Sequence, residues 1–183
     1  LKNNTAASYS GGGFYLSTGA RLKVDGGGKL QILQNEANRY GGALFLKGAD
    51  TTLTVSGADT HVIVQDNVAA SGGGGGLCLT SGADVQVNNS ALLELKNNTA
   101  TSYYGGGSYL DTGARLKVDG GGMLQILQNE ANRYGGALYL KDADTTLAVS
   151  GADTHVIVQD NVAASGGGGL CLTSGADVQV NNS

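Results

Sequence analysis

The feature that most constrains this chain is a short unit that recurs along its whole length. Its clearest form is Asn129 to Leu140, NEANRYGGALYL: an Asn, an Ala two residues on, a short spacer, Gly-Gly-Ala and an apolar stretch. Variants begin at Asn4, Asn35, Asn67, Asn98 and Asn161. The Asn spacing, about 31 or 32 residues, is that of a solenoid, in which no single unit can bury its apolar face without its neighbours. A longer duplication lies over the short one, with 1–94 mapping onto 95–183. Among the few differences are Phe14/Ser108, Phe45/Tyr139 and Gly48/Asp142, and the run Gly72–Gly76 loses one glycine as Gly166–Gly169. A length change inside a glycine run predicts an exposed loop there. Each long repeat holds three short ones, so 1–183 reads as a single domain of about six coils.

Within a coil the period is two. In the coil from Gly41 to Asn67 the strands read as Ala43–Leu46, Thr52–Ser56 and His61–Gln65, with Leu53 and Val55 alternating against Thr52 and Thr54, and Val62 and Val64 against His61 and Ile63. They are separated by Gly-Ala-Asp corners, which is the pattern of half-buried strands. Glycine suits such corners because it adopts positive φ without steric cost. Stacking the coils gives inward columns: Leu16/Leu46/Leu79/Leu110/Leu140/Leu172, Val24/Val55/Val87/Val118/Val149/Val180 and Ile32/Val64/Leu95/Ile126/Val158. A further inward column, Phe14/Leu44/Leu77/Ser108/Leu138/Leu170, has Ser108 as its polar member, which predicts a local cavity or a hydrogen bond to backbone. The fold class is all-β, a parallel β-helix with three strands per coil, right-handed by the crossover preference. The column Asn4/Asn35/Asn67/Asn98/Asn129/Asn161 predicts a structural ladder of stacked amides.

Composition narrows the function classes. A net charge of −4 argues against nucleic acid, which needs a basic stripe. No stretch approaches the roughly 18 consecutive apolar residues of a membrane helix. No signal peptide is visible, and the chain opens and closes inside repeats, so it reads as a segment of a longer protein. Neither end carries a polar cap, which predicts association through open coil ends. Cys78 and Cys171 fall on equivalent positions three coils apart, roughly 14 Å at about 4.8 Å per coil. That is too far for a disulfide, so both are expected to be free thiols.

The unit, an apolar residue, two spacers, Asn-x-Ala and then Gly-Gly-Ala/Gly, resembles the repeat of the chlamydial polymorphic outer-membrane proteins. The matching stretches are Ile126–Asn129 with Gly135-Gly136-Ala137-Leu138 and Leu95–Asn98 with Gly105-Gly106-Gly107, and their counterparts in every coil. The leading Phe of that family is Leu, Ile or Val here, and its Ile after Gly-Gly is Leu, Phe or Ser. The resemblance implies an autotransporter-passenger-like β-helix of a surface-displayed or secreted protein, often an adhesin. It implies an extracellular location and no catalytic residue.

Candidate chemistry lies on the outward faces. The column Tyr15/Phe45/Cys78/Tyr109/Tyr139/Cys171 could stack on sugar rings, with Tyr15, Phe45, Tyr109 and Tyr139 as glycan contacts; the alternative is that the rings cover the sheet and one another. Asp84 and Arg115 on adjacent coils evoke the acid–base clusters of pectate-lyase-like enzymes, but they follow the period and read as a surface ion pair. Thr52 and Thr54 form one Thr-x-Thr pair, whereas an ice-binding face needs the pair on successive coils. His61 and His155 are three coils apart and cannot share a metal ion. The corners lack the Gly-Gly-x-Gly-x-Asp calcium pattern, and no Gly-Lys-Ser/Thr follows the glycine runs. No metal, cofactor or catalytic residue is therefore expected. Asn3, Asn88, Asn97 and Asn181 sit in glycosylation sequons that matter only in a secretory eukaryotic chain. The expected role is a structural and interaction module facing a host-cell or extracellular glycan or protein surface. The alternatives are a carbohydrate-binding or polysaccharide-lyase-like β-helix and, more remotely, an ice-binding one.

Overall fold

The computed structural model describes residues 1–181, and all of their regular structure is β-strand. Parallel strands stack into sheets of six, six, six and five, one strand per coil in each, giving a solenoid of six coils. Three of these sheets are the expected ones, represented in the second coil by Leu44–Lys47, Thr52–Ser56 and His61–Gln65. The fourth is narrow: two residues directly after the ladder Asn, such as Glu36–Ala37, which pair in register through all six coils. Two residues carry no readable alternation, which is why this sheet is invisible in the sequence.

The inward columns pair residue for residue as the alternation predicts. Leu46, Leu79, Leu110, Val55, Val87, Val64, Leu95 and Ile126 are fully buried and form one continuous core. The strands are held mostly by residues of neighbouring coils, so burial of this aliphatic column is what makes the coils cooperative. In the last coil the inward Leu172 and Val180 are exposed, because no further coil of the described residues covers them.

The corners are not the preserve of glycine. The residue before each ladder Asn (Asn3, Gln34, Asp66, Asn97, Gln128 and Asp160) has φ between 50° and 58°. Asp50, Asp59, Asp144 and Asp153 also occupy the left-handed region. Short polar side chains tolerate that region by hydrogen-bonding locally. Buried threonines brace the corners as well: Thr51 Oγ1 donates to Lys47 O at 2.9 Å and accepts the Gly19 N–H of the preceding coil at 3.1 Å. Thr60 does the same between Ser56 O and the Gly27 N–H.

The glycine run is the opposite of an exposed loop. Gly72 to Gly76 are buried between the neighbouring coils. A Cβ on Gly75 would lie 2.5 Å from Gly106 O and from Thr99 N, and one on Gly73 would lie 2.6 Å from Tyr104 O. Backbone of one coil packs directly on backbone of the next, so a side chain has nowhere to go. The length change is absorbed because the left-handed glycine of each coil (Gly11, Gly41, Gly74, Gly105, Gly135, Gly167) stays aligned.

Candidate functional site

The Asn ladder is continuous. Each Nδ2 donates to the Oδ1 of the next coil's Asn, from Asn4→Asn35 at 2.8 Å to Asn129→Asn161 at 2.9 Å. The same Oδ1 also accepts the backbone N–H of the preceding Asn. From Asn67 onward the remaining amide hydrogen goes to a strand carbonyl one coil back: Ile32, Val64, Leu95 or Ile126. Asn35, Asn67, Asn98 and Asn129 are buried, and every amide function of Asn67, Asn98 and Asn129 has a partner, which leaves no valence for a ligand.

The aromatic column pairs as expected, Tyr15↔Phe45↔Cys78↔Tyr109↔Tyr139↔Cys171, on the face of its sheet turned away from the core. Its rings are nevertheless largely covered. Tyr15 is 53% exposed, but Phe45, Tyr109 and Tyr139 are each only 7% exposed and form a second, smaller apolar cluster with Cys78. The cover comes from a second column that the sequence reading missed, the residue before each left-handed glycine: Ser10, Tyr40, Gly73, Tyr104, Tyr134 and Gly166. Tyr104 stacks on Tyr139 with centroids 4.5 Å apart, and Tyr40 stacks on Tyr109 at 6.0 Å. Tyr109 and Tyr139 stack on each other at 5.6 Å. Gly73 leaves the gap in the covering column through which Tyr40 reaches Tyr109; a Cβ there would sit 3.1 Å from Tyr109 Cγ. The signal that could have revealed this column is tyrosine immediately before the Gly-Gly pair at positions 40, 104 and 134.

Two tiers of aromatic rings therefore line one side of the solenoid, with depressions between them. One of about 370 Å³ is lined by Tyr40, Tyr103, Tyr104, Tyr109, Tyr139 and Lys141. A second of about 290 Å³ lies among Tyr9, Tyr15, Tyr40, Phe45, Arg39 and Lys47. A smaller one of about 150 Å³ reaches down to Cys78 beside Thr80 and Asp111. Tyr9, Tyr40, Tyr103 and Tyr134 are exposed along the rim, and the Arg133 guanidinium lies 5.1 Å over the Tyr103 ring.

The electrostatics of this side centre on Tyr109 and Asp111. Tyr109 Oη donates to Asp111 Oδ2 at 2.8 Å. Burial, then the bond to Asp111, pushes the Tyr109 phenol far above its ordinary value. Burial works to raise the Asp111 carboxyl, but hydrogen bonds with Tyr109, Asp142 and Thr112 and the Lys141 charge hold it below the usual range. Burial also pushes the Cys78 thiol well up, as does the nearby Asp111 charge, and the side chain is packed out of solvent. Cys78 and Cys171 are both free.

The other candidates are brought together less well. Asp84 and Arg115 are register partners, but among the described residues they form no ion pair; Asp84 instead accepts from Gln86 Nε2 at 2.7 Å. Thr52 pairs with Arg21 and Asp84, so no Thr-x-Thr face continues from coil to coil. His61 is partly exposed, but its Nε2 is buried 3.4 Å from Glu94 Oε2 and is not aligned with it as a hydrogen bond. His155 is exposed, with Nδ1 2.9 Å from Asp153 O. No group of three or more His, Cys, Asp or Glu side chains among the described residues is placed to hold a metal ion. No helix among them is long and apolar enough to cross a membrane. No family model, curated protein or solved structure matches the chain.

Proposed function

We propose that this chain is a structural and interaction segment of a large surface-displayed or secreted protein, an adhesin-like β-helical passenger without catalytic activity of its own. The observation that carries this reading is the two-tier tyrosine side, where Tyr9, Tyr15, Tyr40, Tyr103 and Tyr134 offer exposed rings along a rigid rod. Rigid aromatic rings give large contact area at small conformational cost, and a solenoid holds them at fixed spacing. The extracellular setting rests on the resemblance of the Asn-x-Ala and Gly-Gly repeat to chlamydial polymorphic outer-membrane proteins.

Within that reading a glycan is the favoured ligand over a protein surface. The depression lined by Tyr40, Tyr103, Tyr104, Tyr109, Tyr139 and Lys141 combines aromatic rings with a hydrogen-bond donor, which suits a sugar ring. The decisive experiment is binding of the chain to an array of neutral and acidic oligosaccharides, repeated with Tyr40→Ala/Tyr103→Ala. Loss of binding in that variant, with the strand-type circular dichroism retained, supports the reading. Full binding by it moves the contact to another face. Binding to immobilised extracellular proteins in the absence of any glycan signal favours a protein partner instead.

A further inference from the structure

The outward face of the sheet containing Arg21–Asp25 is not uniform along the solenoid. Its first column reads Arg21, Thr52, Asp84, Arg115, Thr146, Asp177 from coil to coil. The second reads Lys23, Thr54, Gln86, Lys117, Ala148, Gln179, and the third begins Asp25, Ser56, Asn88. Summed across each row the formal charge runs positive, neutral, negative and then repeats. Such a series read backwards is its own complement.

The charges differ in how they are satisfied. Lys23 pairs with Asp25 and Lys117 with Asp119 in the same strand, each at 2.6 Å. Arg21 and Arg115 form no ion pair among the described residues, and both are exposed. Asp84 and Asp177 accept only from the neutral Gln86 and Gln179. The unpaired charges of the face therefore all lie in its first column, alternating in sign.

We infer that this face pairs with the same face of a second copy of the chain, about a two-fold axis parallel to the strands that passes between Asp84 and Arg115. The operation sets the first coil against the sixth, the second against the fifth and the third against the fourth. Arg21 then faces Asp177 of the partner subunit, and Asp84 faces Arg115 of the partner subunit. Thr52 faces Thr146 of the partner subunit, and the lysines of the second column face Gln179 and Gln86 of the partner subunit. No like charges meet. An axis along the solenoid would instead set Lys23 against Lys23 of the partner subunit and Lys117 against its own copy, so charge selects the first arrangement.

Strands of five residues span about 17 Å and six coils about 29 Å, so the face buries about 500 Å² per copy. That is the lower limit of a specific interface, and the dimer is weak, reversible and salt-sensitive. The test is sedimentation velocity of the chain from about 1 μM to several hundred μM in low salt and in about 0.5 M NaCl. The expected result is a species of twice the monomer mass at low salt that dissociates at high salt. Arg115→Asp sets like charges across the axis and is expected to weaken association at least tenfold. The swap Asp84→Arg/Arg115→Asp restores complementarity and is expected to restore the dimer, with circular dichroism confirming that both variants fold. A monomer at every concentration in low salt overturns the inference. So does a dimer, or an open-ended series of larger species, that is unaffected by Arg115→Asp, because contact through the coil ends does not involve this face.

Discussion

The backbone N–H and the side-chain Nδ2 of Asn98 both donate to Oδ1 of Asn129, at 2.9 and 3.0 Å. One acceptor thus fixes both the chain path and the side chain of the coil before it. Asn98 Oδ1 in turn accepts from the Asn67 N–H and Nδ2, and Asn98 Nδ2 also donates to Val64 O. Asn98→Ala keeps the backbone N–H bond to Asn129 but removes the amide, so the buried Asn67 N–H loses its acceptor and the side-chain bonds to Asn67, Asn129 and Val64 are lost. The expected destabilisation is about 2–4 kcal/mol, read from the urea midpoint. A loss below about 0.5 kcal/mol would show the ladder to be dispensable.

Ser108 stands where the first coil has Phe14 and the others leucine. It is fully buried, and its Oγ has neither the expected backbone partner nor any other. Ser108→Ala removes an unsatisfied hydroxyl and is expected to raise stability by about 1 kcal/mol. Thermal or urea denaturation checks the sign; a drop of similar size would mean that the hydroxyl makes a bond in solution.

Gly106 belongs to the buried backbone-on-backbone contact. A Cβ there would lie 2.4 Å from Glu130 O and 2.5 Å from Gly136 O. Gly106→Ala must push two coils apart and is expected to cost about 3 kcal/mol or more. Gly113, whose Cβ would meet nothing within 4 Å but whose φ is +72°, isolates the conformational cost: Gly113→Ala is expected to cost about 1 kcal/mol.

The Tyr109–Asp111 hydrogen bond makes stability depend on pH at both ends. The folded Asp111 carboxyl lies below its ordinary value, so its contribution is full above about pH 4 and is lost as pH falls through the folded value. The folded Tyr109 phenol lies above its ordinary value, so its contribution is full below about pH 10 and declines at higher pH. Tyr109→Phe is expected to flatten both arms of the stability-against-pH curve. Identical curves for the two proteins would sever this link.

Cys78 is desolvated under Tyr40 and Tyr109, whereas Cys171 is only partly buried. An aromatic disulfide reagent at pH 8 is expected to modify Cys171 in the native chain and Cys78 only after denaturation. Rapid native labelling of both thiols would show that the tyrosine cover opens readily.

The sequence by itself determined the solenoid. Period-two alternation, nested in a repeat of about 31 residues, specifies which side chains of each strand point inward. Stacking the repeats then yields the aliphatic columns and the Asn ladder, because in a parallel, in-register stack the neighbours in space are the same positions of successive repeats. Only the tertiary structure decided what lies outside the barrel of coils. Outward on a strand is not the same as exposed: Tyr109 and Tyr139 point away from the core yet are covered by Tyr40 and Tyr104, which come from irregular segments whose path back over the sheet strand alternation does not describe. The glycine run misled for a related reason. Its composition is that of a free loop, but close stacking of coils leaves those backbones in contact, and steric exclusion rather than flexibility is what requires glycine there.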